Sequence, residues 1–222
     1  MSTPVLTIDG PSGVGKGTVA RVIAQKLGWN LLDSGAIYRA FALAVESRGV
    51  NITDELALVK IATHLDLAFK TQADSELVSV YLDGHDVSKE LRLEATGEMA
   101  SKIASIGVVR SALLKRQQDF ATPPGLVADG RDMGTVVFKE AEFKVYLTAN
   151  SEERANRRLK QLQAQGHKGI MSQILVEVEA RDARDSSRKH SPLKPAKDAL
   201  IIDTTELSLD EVIAQVSELV KA

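Results

Sequence analysis

The residues Gly10-Pro11-Ser12-Gly13-Val14-Gly15-Lys16-Gly17-Thr18 combine closely spaced glycines with a lysine and a hydroxyl, a combination suited to holding a chain of phosphates. Backbone N–H groups converge on an anion only where the chain tolerates positive φ and carries no obstructing Cβ, which is what glycine permits. Lys16 would reach the terminal phosphates. In one departure from the usual pattern, Gly17 stands where Ser or Thr commonly follows the lysine, and the hydroxyl comes one place later at Thr18. Direct ligation of Mg²⁺ by a hydroxyl at position 17 is therefore excluded.

A second group of residues could also meet phosphate. Arg154, Arg157 and Arg158 are spaced i, i+3, i+4, and Arg181, Arg184, Asp185 and Arg188 are spaced i, i+3, i+4, i+7, so each set shares one face of a helix. A solvated, salt-bridged surface is the ordinary explanation of such a run, with Glu177 able to pair with Arg181. Here the arginines lie in a segment, Ser151 to Lys197, that is short of large apolar side chains, in a chain that already has a phosphate loop. A lid that closes over an anion is the better reading, because the planar guanidinium fork suits phosphate oxygens and the cluster repels itself without one. Phosphoryl transfer needs charge neutralisation, in-line positioning and exclusion of water, and arginines supply the first two.

Elements must position these groups. The apolar run Val5, Leu6, Thr7, Ile8 predicts a strand feeding the loop, and Val19, Val22, Ile23 and Leu27 form one stripe of a following helix that Gly28 can end. Trp29 to Leu32 predicts a second strand, and Asp33 or Ser34 can cap a helix burying Ile37, Phe41 and Val45, with Gly49 at its end. Thr53 and Asp54 open a further helix. From Leu65 the texture changes: Leu65 to Phe69, then Val78, Val80 and Leu82 before Asp83-Gly84, predict two strands and a hairpin turn in a small antiparallel insert. Helical spacing returns at Met99 and Ile103 and at Val109, Leu113 and Phe120, until Pro123-Pro124-Gly125 breaks the chain. Leu126 to Ala128, Phe143 to Leu147 and Ala199 to Ile202 predict strands of a parallel sheet buried on both faces. Ser208-Leu209-Asp210-Glu211 is a capping box that opens a last helix through Val212, Val216 and Leu219.

This alternation implies a three-layer α/β fold, helices flanking a mostly parallel central sheet, with ligands at the carboxyl ends of the strands. Asp9-Gly10, Asp33-Ser34 and Asp129-Gly130-Arg131-Asp132 all fall at such ends.

Bulk properties narrow the function. With 222 residues, 44% hydrophobic and 26% charged, the chain fits one well-cored domain with an insert. There is no cysteine, which excludes disulfides, thiolate zinc sites and cysteine nucleophiles. A net charge of −2 gives no drive toward nucleic acid or an anionic membrane. No apolar run approaches transmembrane length and no signal segment is recognisable, so a cytoplasmic protein, monomeric by default, is expected.

GPSGVGKGT, LLDSGAIYRA, LVADGRDMGTVVF and the run Arg181-Asp182-Ala183-Arg184-Asp185-Ser186-Ser187-Arg188 together resemble bacterial cytidylate kinase, a nucleoside monophosphate kinase that phosphorylates CMP and dCMP with ATP. The resemblance spans nearly the whole chain. GKGT alone marks the wider monophosphate kinase group; DSGAIYR with DGRDMGT is specific. The resemblance implies a P-loop kinase fold, a single domain over 1–222, with a core of 1–34, 108–150 and 191–222, a monophosphate-binding insert at 35–107 and an Arg-rich lid at 151–190. It implies that Gly10, Pro11, Ser12, Gly13, Val14, Gly15, Lys16, Gly17 and Thr18 hold the ATP phosphates. Lys16, Arg131, Arg157 and Arg188 would act on the transferring group. CMP would lie between insert and core, with Ser34, Tyr38, Arg39 and Arg131 toward its phosphate and sugar. Ser101, Arg110 and Asp132 would lie toward cytosine, and Arg181, Asp185 and Arg188 toward ribose and phosphates. Asp129, at the end of a core strand, is the carboxylate placed to orient Mg²⁺ through water.

Other readings make distinct demands. A switch GTPase needs a guanine-reading N-K-x-D stretch, which the chain lacks. A small-molecule kinase of the shikimate kinase type shares the loop. A nucleotide sensor without activity leaves the second arginine set unexplained.

Overall fold

The computed structural model of the chain describes residues 3–71, 78–164, 166 and 168–221. The chain begins with β1 (Val5–Asp9), α1 (Lys16–Leu27) and β2 (Asn30–Asp33). It continues through α2 (Ser34–Ser47), α3 (Glu55–Thr63), the short strands β3 (Leu67–Thr71), β4 (Val78–Leu82) and β5 (His85–Asp86), then α4 (Glu94–Ile103) and α5 (Gly107–Gln118). It closes with β6 (Leu126–Gly130), β7 (Phe143–Thr148), α6 (Ser151–Ala164), α7 (Met171–Ser186), β8 (Leu200–Asp203) and α8 (Leu209–Lys221). Two compact units result: Met1–Asp33 with Gln118–Ala222, and Ser34–Gln117.

In the first unit the strands form one sheet in the order β2-β6-β1-β7-β8, with every pairing parallel. Ile8 of β1 lies opposite Asp129 of β6 and Val145 of β7, so the central strand has neighbours on both sides and all five of its residues are buried. Leu6, Ile8, Val19, Ile23, Val127, Val145, Leu147 and Val216 join in one core. The expected burial of the last strand on both faces is not found: among the described residues β8 pairs with β7 alone, and at that edge Leu200 and Ile201 stay exposed while Ile202 enters the core. Its neighbour α8 starts on the capping box, with Ser208 N–H donating to Glu211 Oε2 at 2.8 Å and Glu211 N–H to Ser208 Oγ at 3.3 Å.

The arginine-rich segment has more order of its own than its sparse apolar content suggested. Ala155, Ile174 and Val178 are buried together against Leu159, Leu162, Met171 and Leu175, so α6 and α7 pack through one apolar stripe each. Few large side chains suffice because Met171, Ile174, Leu175 and Val178 recur at helical spacing.

In the second unit β3, β4 and β5 form the expected antiparallel meander. Residues 72–77 of that meander lie outside the described residues. Asp83 (φ 49°) and Gly84 (φ 79°) make the two-residue turn between β4 and β5, both in the left-handed region that such a hairpin requires. Val80 packs with Ala40 and Leu91, beside Leu67 and Phe69. Asp54 caps α3 by accepting from Ala57 N–H at 3.0 Å.

Candidate active site

The first strand delivers the glycine-rich loop to the carboxyl edge of the sheet. Gly10 (φ 147°), Gly13 (φ 81°) and Gly15 (φ 94°) all have positive φ. At Gly10 a side chain is also excluded by space, since a Cβ would lie 2.1 Å from the carbonyl oxygen of Leu147. Gly15 caps α1 without a side chain, and the helix has no acidic residue in its first turn. No capping side chain thus competes for that end of the helix, where the dipole favours negative charge. Lys16 is buried and its Nζ donates to the carbonyl of Pro11 at 2.8 Å.

Gly17 faces Asp129. A Cβ at position 17 would sit 3.3 Å from the Asp129 carboxylate, so any side chain there would press on that carboxylate. Burial, aided by Arg131, pulls the Lys16 ammonium below its ordinary range, with Asp129 opposing. Burial pushes the Asp129 carboxyl up, with Lys16 opposing. Bound phosphates would supply the negative charge that this lysine lacks.

At the end of β1 the buried Asp9 accepts two consecutive amides, Met133 N–H on Oδ1 and Gly134 N–H on Oδ2, each at 2.8 Å. Those amides open a π-helical turn over Met133–Val137, just after Arg131 and the buried Asp132. Burial pushes the Asp9 carboxyl up to about 6 despite the two amides. The carboxyl end of β1 and the turn after β6 are thereby joined through one side chain.

Arg131 donates from Nε to Asp185 Oδ2 at 3.0 Å, and Arg188 donates to the other oxygen of the same carboxylate. Burial works against ionising Asp185, yet Arg131, Arg188 and Arg181 outweigh it and hold the carboxyl below its ordinary value. Two of the predicted arginines therefore pair with one buried carboxylate, with Arg181 adding its charge, while Arg184, on the same helix as Asp185, is exposed.

The arginines of α6 meet the loop itself. Arg154 donates to Ala149 O at 3.0 Å, to Ser12 O at 3.2 Å and to the Asp182 carboxylate. Arg157 pairs with Glu153 at 3.0 Å and donates to Thr204 Oγ1 at 3.0 Å, to Thr204 O and to Val14 O at 3.4 Å. Arg158 bonds Gln161 at 2.9 Å.

In the second unit, the Ser34 hydroxyl donates to Gln117 Oε1 at 2.7 Å. Arg39 donates to Leu91 O at 2.7 Å and Leu93 O at 3.2 Å, in space left by Gly97, where a Cβ would lie 2.6 Å from the guanidinium. Arg110 donates to Ala104 O at 3.0 Å and lies 5.5 Å over the Tyr38 ring. Ser101 is buried on α4.

Gln117 and Thr204 are contacts that reading the chain missed, and neither left a signal; Asp9, marked in the sequence as an acid at a strand end, finds its amide partners only in the fold. Among the described residues no group of three or more His, Asp or Glu side chains is arranged to hold a metal. One carboxylate against a phosphate loop fits Mg²⁺, which keeps most of its waters and takes substrate phosphates as ligands.

A sheet that brings a glycine-rich loop, a buried lysine and a cluster of arginines to one edge is the frame of a phosphate-handling α/β protein. Over residues 6–222 the chain matches the cytidylate kinase family. It is 56% identical over 213 residues to the cytidylate kinase of Aliivibrio salmonicida (strain LFI1238), covering 96% of this chain and 94% of that one. It is 54% identical over 220 residues to that of Vibrio vulnificus (strain CMCP6), covering 99% and 96%, and 55% identical over 213 residues to that of Aeromonas hydrophila, covering 96% and 92%. The chain belongs to the cytidylate kinase family.

Proposed function

We propose that the protein transfers the γ-phosphoryl group of ATP to CMP or dCMP, giving CDP or dCDP and ADP in pyrimidine nucleotide metabolism. An oxygen of the CMP phosphate attacks the γ-phosphorus in line, the bond to the β,γ-bridging oxygen breaks, and that oxygen leaves on ADP. Beyond membership of the family, the reading is carried by two anion-suited groups in one unit, the loop with buried Lys16 and the pair Arg131 and Arg188 on Asp185, supported by the charge of Arg181.

Each group has a task. Residues 10–18 bind the ATP phosphates, with Lys16 neutralising charge on the group in transit and Arg131, Arg157 and Arg188 sharing in that neutralisation. Ser34, Tyr38, Arg39, Arg131, Arg181, Asp185 and Arg188 serve CMP's phosphate and sugar. Ser101, Arg110 and Asp132 carry the donors and acceptors that complement cytosine. Asp129 would orient the waters of Mg²⁺, which when bound would supply charge neutralisation for the ATP phosphates. The segment 151–190 acts as the lid, 35–107 as the monophosphate-binding insert, and the remainder as core.

No helix among the described residues is long and apolar enough to cross a membrane, and the chain's net charge is −2 without cysteine. We place the enzyme in the cytoplasm as a monomer acting on free nucleotides. ATP consumption measured against CMP, dCMP, UMP, AMP, GMP and shikimate tests the assignment. Turnover is expected with CMP and dCMP above the rest; preference for shikimate or for a purine would overturn it.

A further inference from the structure

We propose that Arg154 is a positioning residue for the phosphate loop, orienting the peptide between Ser12 and Gly13, and that Asp182 holds Arg154 in place for that task. The inference rests on the assignment of residues 10–18 to the ATP phosphates.

The Arg154 side chain is only 5% exposed, so its guanidinium is committed to protein partners. Its Nε donates to Ala149 O at 3.0 Å, one terminal nitrogen to Ser12 O at 3.2 Å, and the other to the Asp182 carboxylate. One planar fork thus joins the exit of β7, the loop and α7. Helix α6 and the loop are also in close contact, since a Cβ at Gly13 would lie 3.1 Å from Arg154 Cβ and 3.3 Å from Arg154 O.

Peptide geometry gives this contact its consequence. In a trans peptide the C=O and the following N–H point in opposite directions. A guanidinium that grips the Ser12 carbonyl from the side of α6 therefore turns the Gly13 N–H to the opposite face of the loop. Arg157 repeats the arrangement two residues on, through Val14 O at 3.4 Å, and so turns the Gly15 N–H the same way. Glycine has no side chain to fix these peptides, and at positive φ its backbone has many alternatives of similar energy. The carbonyl contacts select one of them while α6 lies against the loop, which fixes the donors that the anion meets. Asp182 neutralises Arg154, so this arginine acts through the orientation of amides.

Lysine cannot do the same work, because a single ammonium does not present the planar fork that reaches three acceptors. Variants R154K, D182N and the double variant R154M/D182N separate this role from general stability. ATP affinity is measured by titration calorimetry without CMP, KM for CMP by steady-state assay, and folding by thermal melting. The double variant leaves no buried charge uncompensated. It is expected to lose ATP affinity by about tenfold or more, with KM for CMP within about twofold of wild type. R154K should fall between the two and D182N closer to wild type. A cooperatively melting double variant that binds ATP within about twofold of wild type overturns the proposal, and so does a parallel loss of ATP and CMP affinity. Should the double variant fail to melt cooperatively, R154K decides alone, and wild-type ATP affinity in it overturns the proposal. If wild type itself binds no ATP, the loop assignment has failed instead.

Discussion

Lys16 donates from its buried Nζ to the carbonyl of Pro11, 2.8 Å away and five residues earlier in the same loop. The ammonium is thereby held inside the loop, in position for a phosphate, before one is bound. Lys16→Met keeps the apolar stem and removes the charge. A fall in kcat of about 10² or more is expected, equivalent to about 2.7 kcal/mol of barrier. Steady-state kinetics beside a melting curve check this, and near-normal turnover in the folded variant would refute it.

Asp9 makes stability depend on pH in a defined direction. Its carboxyl is raised to about 6 in the folded protein from an ordinary 3.8. Between those values the folded state binds more protons than the unfolded one, so this group's contribution falls as pH rises from about 4 to 6. The full cost, about 3 kcal/mol, is present above pH 6. Asp9→Asn removes that titration, at the expense of facing an amide donor toward Met133 or Gly134 N–H. Chemical denaturation from pH 4 to 7 should show wild type losing stability relative to Asp9→Asn as pH rises. Parallel curves would contradict the assignment.

Asp132 is buried at the start of the π-helical turn and is assigned to the base. Cytosine offers an amino donor at N4 beside acceptors at N3 and O2; uracil replaces the donor with a carbonyl and N3 with N–H. A good pairing is worth about 1–3 kcal/mol, so wild type should prefer CMP over UMP by at least about tenfold in kcat/KM. Asp132→Ala should lose most of that preference by losing CMP activity, with ATP affinity nearly unchanged. An undiminished CMP to UMP ratio at uniformly lower activity would mean that Asp132 only shapes the turn.

The α6–α7 segment is assigned as a lid. Its small apolar cluster of Ala155, Ile174 and Val178 lets the two helices pack as a pair. Amide hydrogen exchange should slow between Ser151 and Arg188 when ATP and CMP are added together, and much less with either alone. Equal protection with and without nucleotides would exclude closure.

Much of this is legible in the chain because it is local. The loop glycines, the strand before them and the helix after them are consecutive, so their residue types alone prescribe positive φ, an apolar run and a helical stripe. The capping box at Ser208 and Glu211 and the Asp83-Gly84 turn are readable for the same reason. The sequence by itself thus determined a parallel α/β core, an antiparallel insert and a phosphate loop. The motifs DSGAIYR and DGRDMGT carried its resemblance to one kinase family.

Tertiary structure alone decided who faces whom across long stretches of chain. Asp9 grips amides at 133 and 134 because β1 and β6 are adjacent in the sheet, a pairing no local pattern specifies. Gly17 abuts a carboxylate from position 129, 3.3 Å from where its Cβ would lie. The spacing of Arg154, Arg157 and Arg158 announces one helical face and is silent on its partner. Helix α6 carries Arg154 and Arg157 to the carbonyls of Ser12 and Val14, because α6 follows β7, the strand that lies beside β1 and presses on the start of the loop. A side chain's type follows from the sequence, but whether it meets water, an anion or a backbone carbonyl is set by the packing of elements distant in the chain.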